Sequence, residues 1–338
     1  MAIRVVVMFG GGGALGAFGC GVWRALSRRL QGSKFVGAGG TSIGAINAAI
    51  AVKHGQDLMA GARAMETIWR EALATPSLPF AGMPMHRLTQ SWNGLLTGLL
   101  CGTRGLGAPN PLVWNPVMGM DRFTYPLMDR SRMWGLLSGI GDLTAATPAD
   151  PLLGVGAVDV VSGQLVLFNN VDMTLGAAHL GASSAIPMLF DPVDIGGRMY
   201  WDGDVTRQAA LPLLLEALRR TGRLASSANR GIQSILVTID QMSEEAARLP
   251  SSGIEIAHRV QELMAHGKMS LPAEALAGFS HVLAIRRPPL EHDAISGQLD
   301  FSPERVDELI ALGERQAIQA IDEAGLPLPA TIKEPHWV

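Results

Sequence analysis

The sequence predicts an α/β fold with a mostly parallel central sheet, and the clearest evidence lies in its first 54 residues. The apolar, β-branched segment Ile3–Phe9 is typical of a strand buried on both faces. Glycines follow at once, and Ala17–Leu30 then predicts a helix with arginines on its polar side. A second short strand, Lys34–Ala38, leads through more glycines into an apolar helix, Ile43–His54. This alternation of strand, turn and helix indicates a parallel sheet covered by helices.

Later segments continue the same pattern. Leu152–Val161 and Gln164–Asn169 predict paired strands, because a Ser-Gly turn separates two apolar runs. Gly231–Asp240 and His281–Arg286 are further apolar strands. A last helix is expected to begin after Ser302, which is followed by proline at the first helical position.

The organisation along the chain predicts one domain over residues 1–338. Between residues 75 and 141 the periodicity gives way to proline, glycine, methionine and tryptophan, which indicates an inserted cap or lid segment. Residues 215–338 are expected to complete the domain with further strands and helices.

The amino-acid composition and net charge argue against nucleic-acid binding. Apolar residues make up 48% of the chain and charged ones 17%, and the net charge is -3, so the basic surface needed for nucleic-acid binding is missing. Two uncharged stretches, Val5–Trp23 and Phe35–Val52, approach the length of a membrane span, but their glycines and polar residues favour strand–turn–helix units. We expect a cytoplasmic or peripherally membrane-associated protein, without a signal peptide or a transmembrane helix.

The pentapeptide Gly40-Thr41-Ser42-Ile43-Gly44 lies between a predicted strand and a predicted helix. A G-x-S-x-G sequence in that context is typical of a nucleophile elbow, in which a sharp turn exposes the serine hydroxyl. Gly40 and Gly44 would let the neighbouring segments pack closely, and Ser42 would lie at a helix N-terminus, which favours an oxyanion. A glycine-rich turn with a capping serine is the alternative interpretation.

Residues Gly10 to Gly16 follow the first strand and could form a concave turn of free backbone N–H groups, which binds negative charge. In an acyl hydrolase that charge is the oxyanion of the tetrahedral intermediate. In a dinucleotide enzyme it is pyrophosphate, and Gly11, Gly13 and Gly16 do match G-x-G-x-x-G. That fingerprint also needs an acidic residue about 20 positions later, whereas the chain has none before Asp57.

A nucleophilic serine needs a base, and the eight histidines show no spacing that links them to a motif. The segment Asp202-Gly203-Asp204 instead offers carboxylates after an apolar approach. An aspartate can act directly as the base, although Asp-Gly also occurs in ordinary turns.

Together these motifs resemble, in type, order and spacing, those of the patatin-like phospholipases. Gly11–Gly16 matches the family's glycine-rich oxyanion loop, Gly40–Gly44 its nucleophile elbow and Asp202-Gly203 its catalytic Asp-Gly. Ala182–Pro187 looks like the block that precedes the family's aspartate. The resemblance extends from about Ile3 to Leu213, and no motif covers the rest of the chain.

The resemblance implies a three-layer α/β/α sandwich and hydrolysis of a lipid or other acyl ester through a Ser42–Asp202 dyad, with no metal or cofactor. The oxyanion hole would be formed by Gly11, Gly12, Gly13 and Gly16. Two departures stand out. Asp204 occupies a position where the family usually has a small residue, which makes it a second candidate base or an influence on the pKa of Asp202. Ala14-Leu15 replaces an arginine found in many members, which removes a contact for an anionic head group.

Two alternatives remain open at the level of the sequence. One is a nucleotide-binding oxidoreductase built on the Gly11–Gly16 loop, and the other is a catalytically silent lipid-binding module. Within the hydrolase interpretation, the ester, thioester or polyester substrate and the choice between hydrolysis and acyl transfer also remain open. The Trp- and Met-rich segment 75–141 is expected to form an acyl-chain pocket or lid.

Overall fold

The computed structural model describes residues 2–78, 87–111, 126–224, 232–290, 293 and 297–326. Its strands are β1 (Ala2–Phe9), β2 (Lys34–Thr41), β3 (Ala108–Pro109), β4 (Met128–Asp129), β5 (Leu152–Asp159), β6 (Leu165–Asn169), β7 (Val193–Ile195), β8 (Arg198–Asp202), β9 (Ile232–Asp240) and β10 (His281–Arg286). Its α-helices are α1 (Gly16–Arg29), α2 (Ile43–Lys53), α3 (Leu58–Thr67), α4 (Arg87–Leu100), α5 (Ser131–Ile140), α6 (Ala177–Ser183), α7 (Ala210–Arg220), α8 (Gly253–Ala265), α9 (Ala273–Leu276) and α10 (Pro303–Glu323). Shorter helical segments are Gly13–Leu15, Ile68–Leu73, Gly203–Val205 and Gly297–Leu299.

The central sheet has the strand order β10-β9-β1-β2-β5-β8-β7, with β6 also paired to β5. Neighbours from β10 to β5 are parallel, whereas β6, β7 and β8 pair antiparallel. The predicted mixed α/β fold with a mostly parallel sheet and flanking helices is therefore confirmed. Because the ends of parallel strands meet at one edge of the sheet, the residues after β1 and β2 lie side by side.

Alternate side chains of β1 build two separate apolar layers, as the period of a strand requires. Val5 and Val7 pack in the larger core with α1, α2 and α10. Val6 and Met8 pack on the other face with the leucines of α7. The sheet is thus covered on both faces, which explains why its first strand is apolar throughout.

Two predicted strand ends were wrong. β2 continues through Gly39 and Gly40 to Thr41, although glycine disfavours strands, because it pairs with β1 on one side and β5 on the other. A Cβ at Gly39 would lie 2.9 Å from a Leu214 methyl group, so the glycine allows α7 to pack closely. β5 ends at Asp159 instead of Val161, because the Asp159 carboxylate accepts the Val161 N–H at 3.0 Å and starts the turn.

The segment 75–141 contains regular structure that the sequence did not predict, namely α4, the β3–β4 ribbon and α5. Residues 79–86 and 112–125 of this segment lie outside the described residues, and its role as a cap stays a prediction. The division of residues 215–338 from the rest also stays a prediction, although β9 from that part pairs directly with β1.

The two uncharged stretches fold as predicted into strand, turn and helix, so their length does not form one continuous helix. Among the described helices, none is both long enough and apolar enough to cross a bilayer.

A buried asparagine fixes the helix that begins behind the glycine loop. Asn47 of α2 is fully buried and donates a hydrogen bond to the Gly16 carbonyl at 3.0 Å. Its own carbonyl oxygen accepts the Trp69 indole N–H at 2.9 Å. The amide therefore satisfies two buried polar groups inside an otherwise apolar interface.

We predict that Asn47→Ala lowers the free energy of unfolding by about 2–4 kcal/mol, since each orphaned buried group costs about 1–3 kcal/mol. Trp69→Phe removes one of those groups, so it should cost less in the Asn47→Ala background than in the wild type. Urea unfolding of the four proteins measures both effects, and equal costs of Trp69→Phe in the two backgrounds would contradict the pairing.

Candidate active site

Ser42 lies at the junction between β2 and α2 in a backbone conformation that non-glycine residues rarely adopt. Its φ and ψ angles are 54° and −132°. A Cβ at Gly40 would approach the Gly44 carbonyl carbon to 2.3 Å, and one at Gly44 would approach the Gly10 oxygen to 2.3 Å. Both glycines are therefore needed for this sharp turn from strand to helix. The strain is consistent with a functional position.

Ser183, in the block Ala182–Pro187 that precedes Asp202, holds this turn in place. The Ser42 N–H donates to the Ser183 carbonyl oxygen and to the Ser183 Oγ, each at 3.0 Å. Ser183 Oγ donates in turn to the Gly156 carbonyl at 2.6 Å. Two residues later, the Ala185 carbonyl accepts the Asp202 N–H at 2.9 Å. One short segment therefore connects the Ser42 turn to Asp202.

The glycine loop follows β1 and lies directly against the Ser42 turn. Its first residue, Gly10, donates to the Ile239 carbonyl of β9 at 2.9 Å. The loop backbone is left-handed at Gly13 and has a φ of 141° at Gly12. Within the described part of the chain, the N–H groups of Gly11 and Gly12 have no protein acceptor. They are available to a negatively charged oxygen.

The predicted loop glycines have different environments. Gly11 and Gly12 line a cavity together with Ser42, whereas Gly13 and Gly16 are absent from its described lining. A Cβ at Gly13 would lie 2.4 Å from the Gln298 carbonyl oxygen. Gly16 begins α1, where a Cβ would lie 2.7 Å from Ile43. Those two positions allow close packing around the loop.

Asp202 ends β8 and is almost fully buried. Burial is the largest cause that raises its pKa, to about 7, and the negative charge of Asp204 adds to the rise. The Asp204 N–H, which donates to Asp202 Oδ1 at 2.8 Å, lowers the pKa, as do the Ser42 side chain and the charge of Lys268. The carboxylate is thus close to Ser42 and titrates near neutral pH.

Asp204, the second candidate base, is engaged by other groups. Its Oδ1 accepts hydrogen bonds from Thr41 Oγ1 at 2.9 Å and from Lys268 Nζ at 3.2 Å. Its Oδ2 occupies the space beside Gly11, where a Cβ would lie only 1.7 Å away. The Asp204 carboxylate therefore lies between the glycine loop and an ammonium group.

Sequence reasoning missed Lys268. It follows α8 in the part of the chain without motifs, its side chain is only 9% exposed, and its Nζ also donates to the Asp204 carbonyl oxygen at 3.0 Å. A single lysine after a helix gives no signal in the sequence, because its partner is 64 residues away.

The cavity at this site has a volume of about 290 Å³ and a mainly apolar wall. The methionines in the wall are Met242, Met264 and Met269, from the C-terminal part of the chain. The segment 75–141, which is expected to form an acyl-chain pocket or lid, contributes none of its described residues to this wall, and its role as a lid stays a prediction. Among described residues there is also no cluster of His, Cys, Asp and Glu suited to a metal ion.

Comparison with known proteins gives one family and several solved structures. A family model described as "Patatin-like phospholipase" matches residues 7–214. VipD from Legionella pneumophila is 13% identical, with 95% of this chain and 67% of that chain covered and a TM-score of 0.42. ExoU in its complex with SpcU, from the type III secretion system of Pseudomonas aeruginosa, is 13% identical, with 96% and 52% covered and a TM-score of 0.34. A comparison with curated proteins found no match.

The chain spans about two thirds of the length of VipD and about half of that of ExoU. The family match covers more than half of this chain and contains the glycine loop, the Ser42 turn and Asp202. It ends before β9, so Lys268 lies outside it. The chain belongs to the patatin-like phospholipase family, a family of lipid acyl hydrolases.

Proposed function

We propose that this protein hydrolyses acyl esters of lipids, with Ser42 as the nucleophile and Asp202 as its base. The observation that carries the proposal is a buried carboxylate, with a pKa raised to about 7, beside a serine on a strained turn. A base whose pKa lies near the working pH is suited to accepting and returning a proton.

The proposed reaction has two steps. Asp202 takes the Ser42 hydroxyl proton while Ser42 Oγ attacks the ester carbonyl, and the oxyanion accepts hydrogen bonds from the N–H groups of Gly11 and Gly12. The C–O bond to the alcohol then breaks, and the alcohol leaves with the proton from Asp202. Water next attacks the acyl-serine and gives its proton to Asp202. Asp202 then returns this proton to Ser42 Oγ as the acyl–Oγ bond breaks, which releases the carboxylic acid and restores free Ser42 and ionised Asp202.

The contacts of Asp204 favour a positioning role over that of the base. Its Oδ1 is engaged by Thr41 and Lys268, whereas Asp202 is the carboxylate whose pKa responds to Ser42. The Asp204 N–H orients Asp202 by its hydrogen bond to Oδ1. The match of a patatin-like phospholipase family model to residues 7–214, which include the Gly11–Gly16 loop, argues against the oxidoreductase alternative.

The cavity wall favours a neutral acyl group as the part of the substrate that it holds. Met242, Met264 and Met269 are flexible and apolar, so they can adapt to an acyl chain. Lys268 is the cation in the described wall, and its ammonium is paired with Asp204.

We predict that Ser42→Ala and Asp202→Asn each reduce kcat for a short-chain p-nitrophenyl ester by at least about 1,000-fold. The double variant should be no slower than either single variant, because the members of a catalytic unit fail together. Ser184→Ala is the matched control, since this buried serine donates to the Leu180 carbonyl and does not line the described cavity. Wild-type turnover by either dyad variant would contradict the proposal. An inactive wild-type protein would favour the catalytically silent lipid-binding module.

We predict that kcat/KM of the wild type rises with pH through about 7 and then levels, because only ionised Asp202 accepts the proton. Asp204→Asn removes a like charge and should move this rise to lower pH. Lys268→Met removes an opposite charge and should move it to higher pH.

Lys268→Arg keeps the positive charge and serves as the control for the second shift. The pH profiles are measured with the same soluble ester, and circular dichroism checks that each variant is folded. Profiles that shift in the same direction for Asp204→Asn and Lys268→Met would contradict the assignment of the base.

A further inference from the structure

Helix α8 has its charged residues turned inward and its apolar residues turned outward. Glu255 and Glu262 are only 4% and 5% exposed. Ile256, Val260 and Leu263 are 50–55% exposed. A surface helix normally has the opposite arrangement.

Ion pairs and hydrogen bonds fix this orientation. Glu255 pairs with Arg248 at 2.5 Å and accepts a hydrogen bond from Ser251 Oγ at 2.9 Å. On the next turn of the helix, Arg259 pairs with Glu262 at 2.8 Å.

Arg259 also donates to the carbonyl oxygens of Ser243 at 3.2 Å and Glu244 at 2.7 Å, outside the helix. Rotating the helix to bury its apolar residues would break these bonds and the Arg248–Glu255 pair, so the apolar exposure is built into the fold.

The outward face of α8 borders the mouth of the catalytic cavity. Gln261, Met264 and Ala265 line that cavity, and Met264 is also 36% exposed. Gln261 accepts a hydrogen bond at 2.8 Å from Gln298, which lines the same cavity. Met264 therefore belongs both to the exposed apolar face and to the cavity wall.

A second exposed apolar helix face lies beside Gly297–Leu299, the short helical segment that contains Gln298. In α4, Trp92, Leu96 and Leu100 recur every four residues and are 39%, 40% and 59% exposed. The opposite side of α4 approaches the turn Gly297–Leu299, since a Cβ at Gly98 would lie 2.8 Å from the Leu299 carbonyl oxygen. Two helices thus present apolar side chains around the turn that carries Gln298.

We propose that the outward face of α8, formed by Ile256, Val260, Leu263 and Met264, docks on the surface of a lipid aggregate. This docking rests on the proposed lipid ester hydrolysis, because the substrate of that reaction lies in the lipid aggregate. An acyl chain could then pass from the aggregate into the cavity along Met264, without crossing water. A protein bound permanently to this face would cover the mouth that the substrate needs.

The chemistry of the face predicts which lipid surface it binds. None of the exposed α8 side chains that the structure describes is charged. Binding should therefore come from burial of apolar area, and should depend little on head-group charge or on salt.

The test measures flotation of the full chain with phosphatidylcholine vesicles. The chain carries Ser42→Ala, so that binding is measured without hydrolysis. We expect binding that changes less than about threefold when phosphatidylserine is added or salt is raised from 0.1 to 0.5 M. Val260→Asp/Leu263→Asp should weaken it at least about 10-fold, because it places two charges in the docking face.

Val282→Asp/Ile318→Asp is the matched control, since these residues are 42% and 38% exposed on β10 and α10 and should leave binding unchanged. Val260→Asn/Leu263→Gln provides a second, uncharged test of the same face, and circular dichroism checks folding. With Ser42 restored, the α8 variants should keep turnover of a soluble short-chain ester and lose turnover of an ester presented in vesicles.

Undiminished flotation of both folded α8 variants would overturn the docking proposal, as would binding that requires anionic lipid. Sedimentation that shows a dimer in the wild type and a monomer in the α8 variants, without vesicle binding, would assign the face to a second copy of the chain. Because vesicle binding is measured in Ser42→Ala, it can succeed even if ester hydrolysis is never found.

Discussion

The separation between Ser42 and Asp202 is set by one short segment, and the proposed chemistry depends on it. Ser183 accepts the Ser42 N–H, and Ala185 accepts the Asp202 N–H. These contacts join residues that are far apart in the sequence and come from two different strands. Since a buried backbone N–H must find an acceptor, neither residue can move away without losing a bond.

Burial raises the pKa of Asp202, and hydrogen bonds from the Asp204 N–H and the Ser42 side chain limit the rise. Asp204 raises the pKa and Lys268 lowers it, and these two residues are themselves paired at 3.2 Å. Two paired side chains therefore shift the pKa of Asp202 in opposite directions. The C-terminal part of the chain, beyond the family match, contributes Lys268 and the methionines of the cavity wall. It therefore completes the site as well as the sheet.

The sequence predicted those parts of the fold and site that depend on local pattern. Apolar runs predicted six strands of the sheet, β1, β2, β5, β6, β9 and β10, but not the short β7 and β8. Glycine spacing identified the turn at Ser42 and the loop at Gly11. Asp202 was found from the neighbouring glycine and from the resemblance to a family. The roles of these residues remain proposals, although the structure brings the side chains together.

What the sequence did not predict depends on contacts between distant segments. Lys268 has no local pattern, because only folding brings it to Asp204. The extension of β2 through Gly39 and Gly40 opposes local propensity, and its cause is pairing on both sides with close packing of α7. The inverted α8 likewise follows from ion pairs that include Arg248, which lies before the helix.

The most direct test of the central claim is labelling of the full chain with a fluorophosphonate, followed by mass spectrometry of its peptides. A base that activates one serine predicts a single adduct on Ser42, formed more slowly below pH 7 and nearly lost in Asp202→Asn. An adduct on another serine, or undiminished labelling of Ser42 in Asp202→Asn, would contradict the account.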